Sequence, residues 1–142
     1  MKKSLRRFYE RNTLFMIVML IVALLCVAVV VPAVTSAFSR MEGRRVQGVA
    51  KNIELSLRLL QLQYQESATP LLDAQRDSGF SVVAERDIRA LSGAQGEFYL
   101  LKWDALHQQI WHLIYEEDQI LVHVELKEDG GYSWQVYHMK KL

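Results

Sequence analysis

The chain has 142 residues, a formal net charge of +1 and a single cysteine. That length holds one small domain and an anchor but not two independent cores. The balanced charge excludes the basic surface of a nucleic-acid binder, and one cysteine excludes an internal disulfide framework.

Residues 1–12 form a basic tail, with Lys2, Lys3, Arg6, Arg7 and Arg11 against one acid, Glu10. Residues 13–39 carry no Asp, Glu, Lys, Arg or His. As a helix this stretch is ~40 Å long, against a hydrocarbon core of ~30 Å. Only a helix satisfies every backbone N–H and C=O inside lipid, so the segment is expected to be a single transmembrane span. It exceeds the ~7–15 apolar residues of a signal-peptide core, so an uncleaved anchor is expected. Arg40, Arg44 and Arg45 follow the span with Glu42. The excess of cations before it places the N-terminus in the cytoplasm and the rest in the periplasm, at an inner membrane. Cys26 sits mid-span as a small apolar residue, and Pro32 predicts a kink or loosened turn at residues 29–33.

An extracytoplasmic helix is expected over residues 40–69. Val46, Val49, Ile53, Leu57, Leu60 and Tyr64, spaced 3, 4, 4, 3 and 4, make one core-facing stripe. Leu55, Leu59 and Leu62 make a second, spaced 4 and 3. Two accounts fit the second stripe: a helix sunk deep in its own core, or an interface with another subunit. Thr69-Pro70 ends the helix, since the residue before proline is pushed out of the α region. Span and helix together then form one near-continuous element of about 60 residues.

Residues 70–96 read as an irregular connection. Within it, residues 71–76 suit a helical turn or two, residues 80–84 suit a short strand, and residues 85–91 carry no decisive pattern. The stretch 92–96, Ser-Gly-Ala-Gln-Gly, is a loop.

The remainder, residues 97–142, reads as an antiparallel meander with strands at 97–103, 109–115, 120–126 and 132–139. Pairing Tyr115 with Ile120 and Leu126 with Tyr132 gathers Trp111, Leu113, Tyr115, Ile120, Val122, Val124, Leu126, Tyr132, Trp134, Val136 and His138 on one face. Ile110, His112, Ile114, Leu121, His123 and Glu125 fall on the other. The apolar face must be covered, and helix 46–64 is the only large apolar partner. The expected fold is therefore α+β, a long N-terminal helix packed on a four-stranded antiparallel sheet. Its core comprises Val46, Val49, Ile53, Leu57, Leu60, Trp111, Leu113, Val122, Val124, Trp134 and Val136, with the three tryptophans as core or interface anchors.

The same register sets His112 opposite His123 with Glu125 diagonal, a two-imidazole metal candidate lacking a fixed third ligand. His107 and His138 fall elsewhere. The acidic runs 116–118 and 128–129 read as solvated turns. There is no nucleophile elbow, phosphate-binding glycine loop, paired-cysteine motif or HExxH. No catalytic residue, cofactor or enzymatic activity is expected.

A long helix, half in the membrane and half packed on a four-stranded sheet, resembles the type IV pilins and the pseudopilins of type II secretion. Pilins carry a basic leader ending in Gly, then Phe, and a Glu a few residues into the apolar run. Here residues 6–12, Arg-Arg-Phe-Tyr-Glu-Arg-Asn, have the basic start and the Phe but no Gly, and the run from Leu14 has no Glu. In size and in its anchor–helix–strand order the chain is similar to the biogenesis protein F family of the mannose-sensitive haemagglutinin (MSHA) type IV pilus. The resemblance implies an unprocessed accessory or scaffold component of such a machine, with partners met through the span and the extracytoplasmic helix. A regulatory or sensor subunit signalling through its anchor is the alternative.

Overall fold

In a computed structural model, residues 2–139 are described, with side chains from Thr13 onward. The element order is α1 (Lys2–Ser67), α2 (Val82–Ser92), β1 (Glu97–Asp104), β2 (Gln109–Glu117), β3 (Ile120–Leu126) and β4 (Tyr132–His138). The protein has two compact units, residues 1–40 and residues 41–142.

In the first unit α1 is long and apolar enough to cross a membrane, consistent with a single-pass membrane protein. Its aliphatic side chains, Leu14 to Phe38, are exposed all round. Pro32 does not end the helix. The hydroxyls in the following turn are satisfied locally: Thr35 Oγ1 donates to the Pro32 carbonyl at 3.0 Å, Ser36 to Ala33 at 2.9 Å and Ser39 to Thr35 at 2.9 Å. Such back-bonding leaves no bare hydroxyl for lipid to meet.

The second unit is α+β. Its sheet has the order β1-β2-β3-β4, a plain antiparallel meander. Val46, Ile53, Leu57, Leu60 and Tyr64 from α1 are buried in one core with Leu113, Tyr115, Ile120, Val122 and Val124. Val49, Trp103, Trp134 and Val136 pack against that cluster while staying partly exposed.

Three details differ from the sequence expectations. First, residues 80–84 are not a strand. Only Phe80 bridges, to Leu72, and residues 82–92 are helix α2. Ser81 caps it by accepting from the Ala84 N–H, and Gly93 closes it at φ +72° with its N–H on the Arg89 carbonyl. Ala84, Ile88 and Ser92, four apart, are its buried face. β-Branched Val82-Val83 bias the reading toward a strand, but both stay exposed on the helix and the caps prevail.

Second, the β2–β3 register is offset by two residues. Tyr115 faces Val122, and Glu117 faces Ile120. The turn is the two residues Asp118 and Gln119, both at positive φ, +51° and +67°. This is the primed-turn geometry that matches strand twist, and it displaces the expected four-residue loop. An even offset keeps each side chain on its face, so the core survives the correction.

Third, Trp111 is not core. The β1–β2 ladder is irregular around Lys102, which breaks the alternation. Ile110 turns inward and is buried, while Trp111 turns out to 39% exposure with the Lys102 ammonium 4.2 Å from its ring centre.

Candidate functional site

One helical face stands out. The helix places Val46, Ala50, Ile53, Leu57, Leu60 and Tyr64 against the sheet. At ~100° per residue, Leu55, Leu59 and Leu62 lie roughly opposite that face. They are 55%, 63% and 64% exposed. The account in which this stripe is sunk in the helix's own core is therefore excluded, and the stripe stands unpartnered among the described residues. Gly48 and Asn52 continue it toward the N-terminus. A Cβ on Gly48 would meet nothing within 4 Å. Asn52 lends its carbonyl to Ser56 Oγ at 2.7 Å, and its amide side chain has no partner among the described residues.

The two imidazoles are also brought together, though not as expected. The register sets His112 opposite Glu125 and His123 opposite Ile114, so the histidines are diagonal neighbours rather than a facing pair. Their rings still meet edge to face, centroids 4.1 Å apart, and Nε2 of one contacts Nε2 of the other. Two neutral rings in opposite tautomers make one N–H···N bond there. Burial, then the neighbouring His123, lowers the pKa of His112, and Glu125 opposes this. No group of three or more potential ligands converges among the described residues, so the pair has no completed metal shell.

A further polar constellation joins α1 to the β2–β3 turn. Glu117, expected in a solvated turn, is only 7% exposed. It accepts from the Tyr115 hydroxyl and from Arg45 Nη1 at 2.6 Å, while Arg45 Nη2 reaches Asp118 at 3.1 Å. Burial raises the Glu117 pKa, but the Tyr115 and Arg45 hydrogen bonds outweigh it and the net shift is downward. Tyr115 is pushed up to about 12, by burial first and by Glu117 second. Its hydroxyl also accepts from the Gly96 N–H at 3.3 Å, and a Cβ on Gly96 would overlap the Glu116 carbonyl. The glycine is thus required where the loop before β1 crosses β2. Parity carried the missed signal: Glu117 follows Leu113 and Tyr115 by twos onto the buried face. This cluster fastens the helix to the turn, and its groups are committed to each other.

No protein-family model matches the chain, and no curated protein or solved structure matches it.

Proposed function

We propose that the chain is a non-enzymatic, single-pass scaffold of an envelope machine, an accessory component of a type IV pilus (MSHA-like) or type II secretion-like assembly. Its N-terminus lies in the cytoplasm, its span in the inner membrane and its α+β domain in the periplasm. It works without cofactor, by holding partner proteins through the span and the second face of the periplasmic helix.

The observation that carries this reading is the exposed stripe Leu55, Leu59 and Leu62 on a helix whose opposite side is fully committed to its own sheet. Apolar side chains repeated on one face of a well-packed small domain mark a protein-contact surface. The charge excess of residues 2–11 over residues 40–45 supports the orientation.

The test is genetic. Deleting the gene in its host is expected to reduce surface piliation or secretion, and the wild-type chain restores it. Leu59→Glu fails to restore it although the protein accumulates normally, whereas Leu106→Glu, in the exposed β1–β2 turn, restores it. Normal piliation and secretion in the deletion strain would overturn the reading.

A further inference from the structure

The face of the sheet away from α1 carries polar groups that partner contact through the helix leaves unused. Leu113, Tyr115, Val122 and Val124 point into the core beneath the helix. Alternation then sends His112 and Ile114 on β2, with Leu121, His123 and Glu125 on β3, to the opposite face. There the ladder sets His112 against Glu125 and His123 against Ile114. Two imidazoles and a carboxylate thus take adjoining positions on neighbouring strands. Cβ atoms directly opposite lie ~4.5–5.5 Å apart and diagonal neighbours ~7–8 Å, within reach of imidazole rings.

Both rings turn the same nitrogen to the same place. Their Nε2 atoms are in contact, and neither Nδ1 has a hydrogen-bond partner among the described residues. An N–H···N bond uses one proton and one lone pair. When the donor ring passes its proton to its own Nδ1, both Nε2 lone pairs face one point with no change of net charge. Nitrogens parted to roughly 3.3 Å would hold an ion at the ~2.0–2.1 Å usual for imidazole on zinc. Both rings are half-buried and already set against each other, so little freedom is lost when an ion arrives. No hydrogen bond or ion pair commits Glu125 among the described residues. Lys102, the ladder partner of His112 on β1, is occupied over the Trp111 ring, 4.2 Å from its centre.

We infer that His112 and His123 form a two-imidazole chelate for a divalent late transition ion such as Zn²⁺ or Cu²⁺, with Glu125 beside it and water in the open positions. Imidazole nitrogen selects these ions over Mg²⁺ and Ca²⁺, which take oxygen ligands. Glu125 balances the charge by accepting from a metal-bound water, as outer-shell carboxylates do. The ion ties β2 to β3 across the hairpin that Asp118 and Gln119 close. A ligand that binds only the folded state stabilises it by mass action, so the ion braces the sheet from the face opposite α1. It brings no reaction and leaves the scaffold reading as it is.

The experiment is calorimetric titration of Zn²⁺, Cu²⁺, Ni²⁺, Mn²⁺ and Mg²⁺ into the full-length chain in mild detergent, free of any affinity tag or chelating buffer. One ion per chain is expected, with affinity rising from Mn²⁺ through Ni²⁺ to Cu²⁺ and falling back at Zn²⁺, and with Mg²⁺ silent. Zn²⁺ at about ten times its Kd is expected to raise Tm by roughly 5 °C. His112→Asn and His123→Asn each abolish the binding heat and the shift in Tm, and Glu125→Gln weakens binding roughly tenfold. His107→Asn and His138→Asn leave both as in wild type. Neither His112 nor His123 is in the core, and an unchanged circular dichroism spectrum without metal shows that each variant keeps its fold. Failure of the wild-type chain to bind Zn²⁺ or Cu²⁺, or binding that survives both His112→Asn and His123→Asn, overturns the inference. One ion per two chains overturns it as well, because the ion then bridges copies rather than strands of one chain. None of these outcomes bears on the scaffold reading, which piliation in the deletion strain tests separately.

Discussion

Residues 13–39 and residues 46–64 are both rich in leucine and valine and both lie in α1, yet they expose those side chains differently. The first stretch is apolar on every side, with no charge to mark a wet face. The second alternates a buried stripe, a polar flank and a narrow exposed stripe. Apolar content alone does not distinguish a helix solvated by lipid from one solvated by its own sheet; angular distribution does.

The strongest way to break that contrast is to truncate one leucine from each side of the second stretch. Leu57 is 2% exposed in the core. Leu57→Ala is expected to destabilise the domain by about 2–5 kcal/mol, the cost of a buried cavity. Leu59→Ala, two residues away, should fall within about 0.5 kcal/mol of wild type, because its side chain is already largely in solvent. Urea unfolding of the full chain in mild detergent, followed by tryptophan fluorescence, separates the two. Equal losses would mean that the outer stripe is also packed.

A charge sharpens the same contrast. Arginine at the centre of a span costs about 2.5–3.5 kcal/mol of insertion. Leu24→Arg should therefore shift part of the chain from the membrane pellet to the aggregated fraction, while Leu55→Arg leaves partition unchanged. Carbonate extraction and flotation read this directly.

The two stretches also differ in how far the sequence alone discloses them. The span and the stripe Val46–Tyr64 are legible because a long apolar run and a helical period are local patterns. The sheet faces were legible for a similar reason: alternation by twos assigns Leu113, Tyr115, Val122 and Val124 together whatever the pairing. What local pattern does not contain is the choice between registers two residues apart, since both preserve the faces. That choice was made by Asp118 and Gln119 accepting positive φ. Trp111 was misplaced because an irregularity in the ladder at Lys102 resets the alternation, and no residue type there announces it. Helix α2 carried its own signals, Ser81 and Gly93 as caps, which the paired valines outweighed. Of the candidate site, the stripe Leu55, Leu59 and Leu62 was visible from spacing, but its exposure needed the fold.

A smaller effect is expected where the helix is fastened to the turn. Arg45→Ala leaves the nearly buried Glu117 carboxylate with only the Tyr115 hydroxyl and is expected to cost about 1–3 kcal/mol. The folded-state pKa of Glu117 is depressed, so its contribution is present above the ordinary carboxylate range and disappears as pH falls through the folded value. The variant should therefore lose less stability than wild type between pH 5 and pH 3, values bracketing an ordinary carboxyl pKa of about 4.3. Thermal melts across that interval measure it. An Arg45→Ala protein with wild-type stability and unchanged acid sensitivity would mean the contact contributes nothing.

The smallest expected effect comes from the sheet surface, where His112 and His123 touch through Nε2. The contact needs at least one neutral ring, because one nitrogen must keep its lone pair to accept, and it is lost when both rings are charged. Burial lowers the His112 pKa first, and a charged His123 lowers it further, with Glu125 pulling the other way. A histidine whose folded pKa is lowered binds fewer protons folded than unfolded, so stability is full above about 6.5 and falls as pH drops through the folded value. Melting of the wild-type chain should therefore decline slightly between pH 7 and pH 5, ahead of the carboxylates, and His112→Asn should flatten that step while leaving the acid limb set by Glu117. A step that survives His112→Asn unchanged would mean that His112 is not the group taking up the proton.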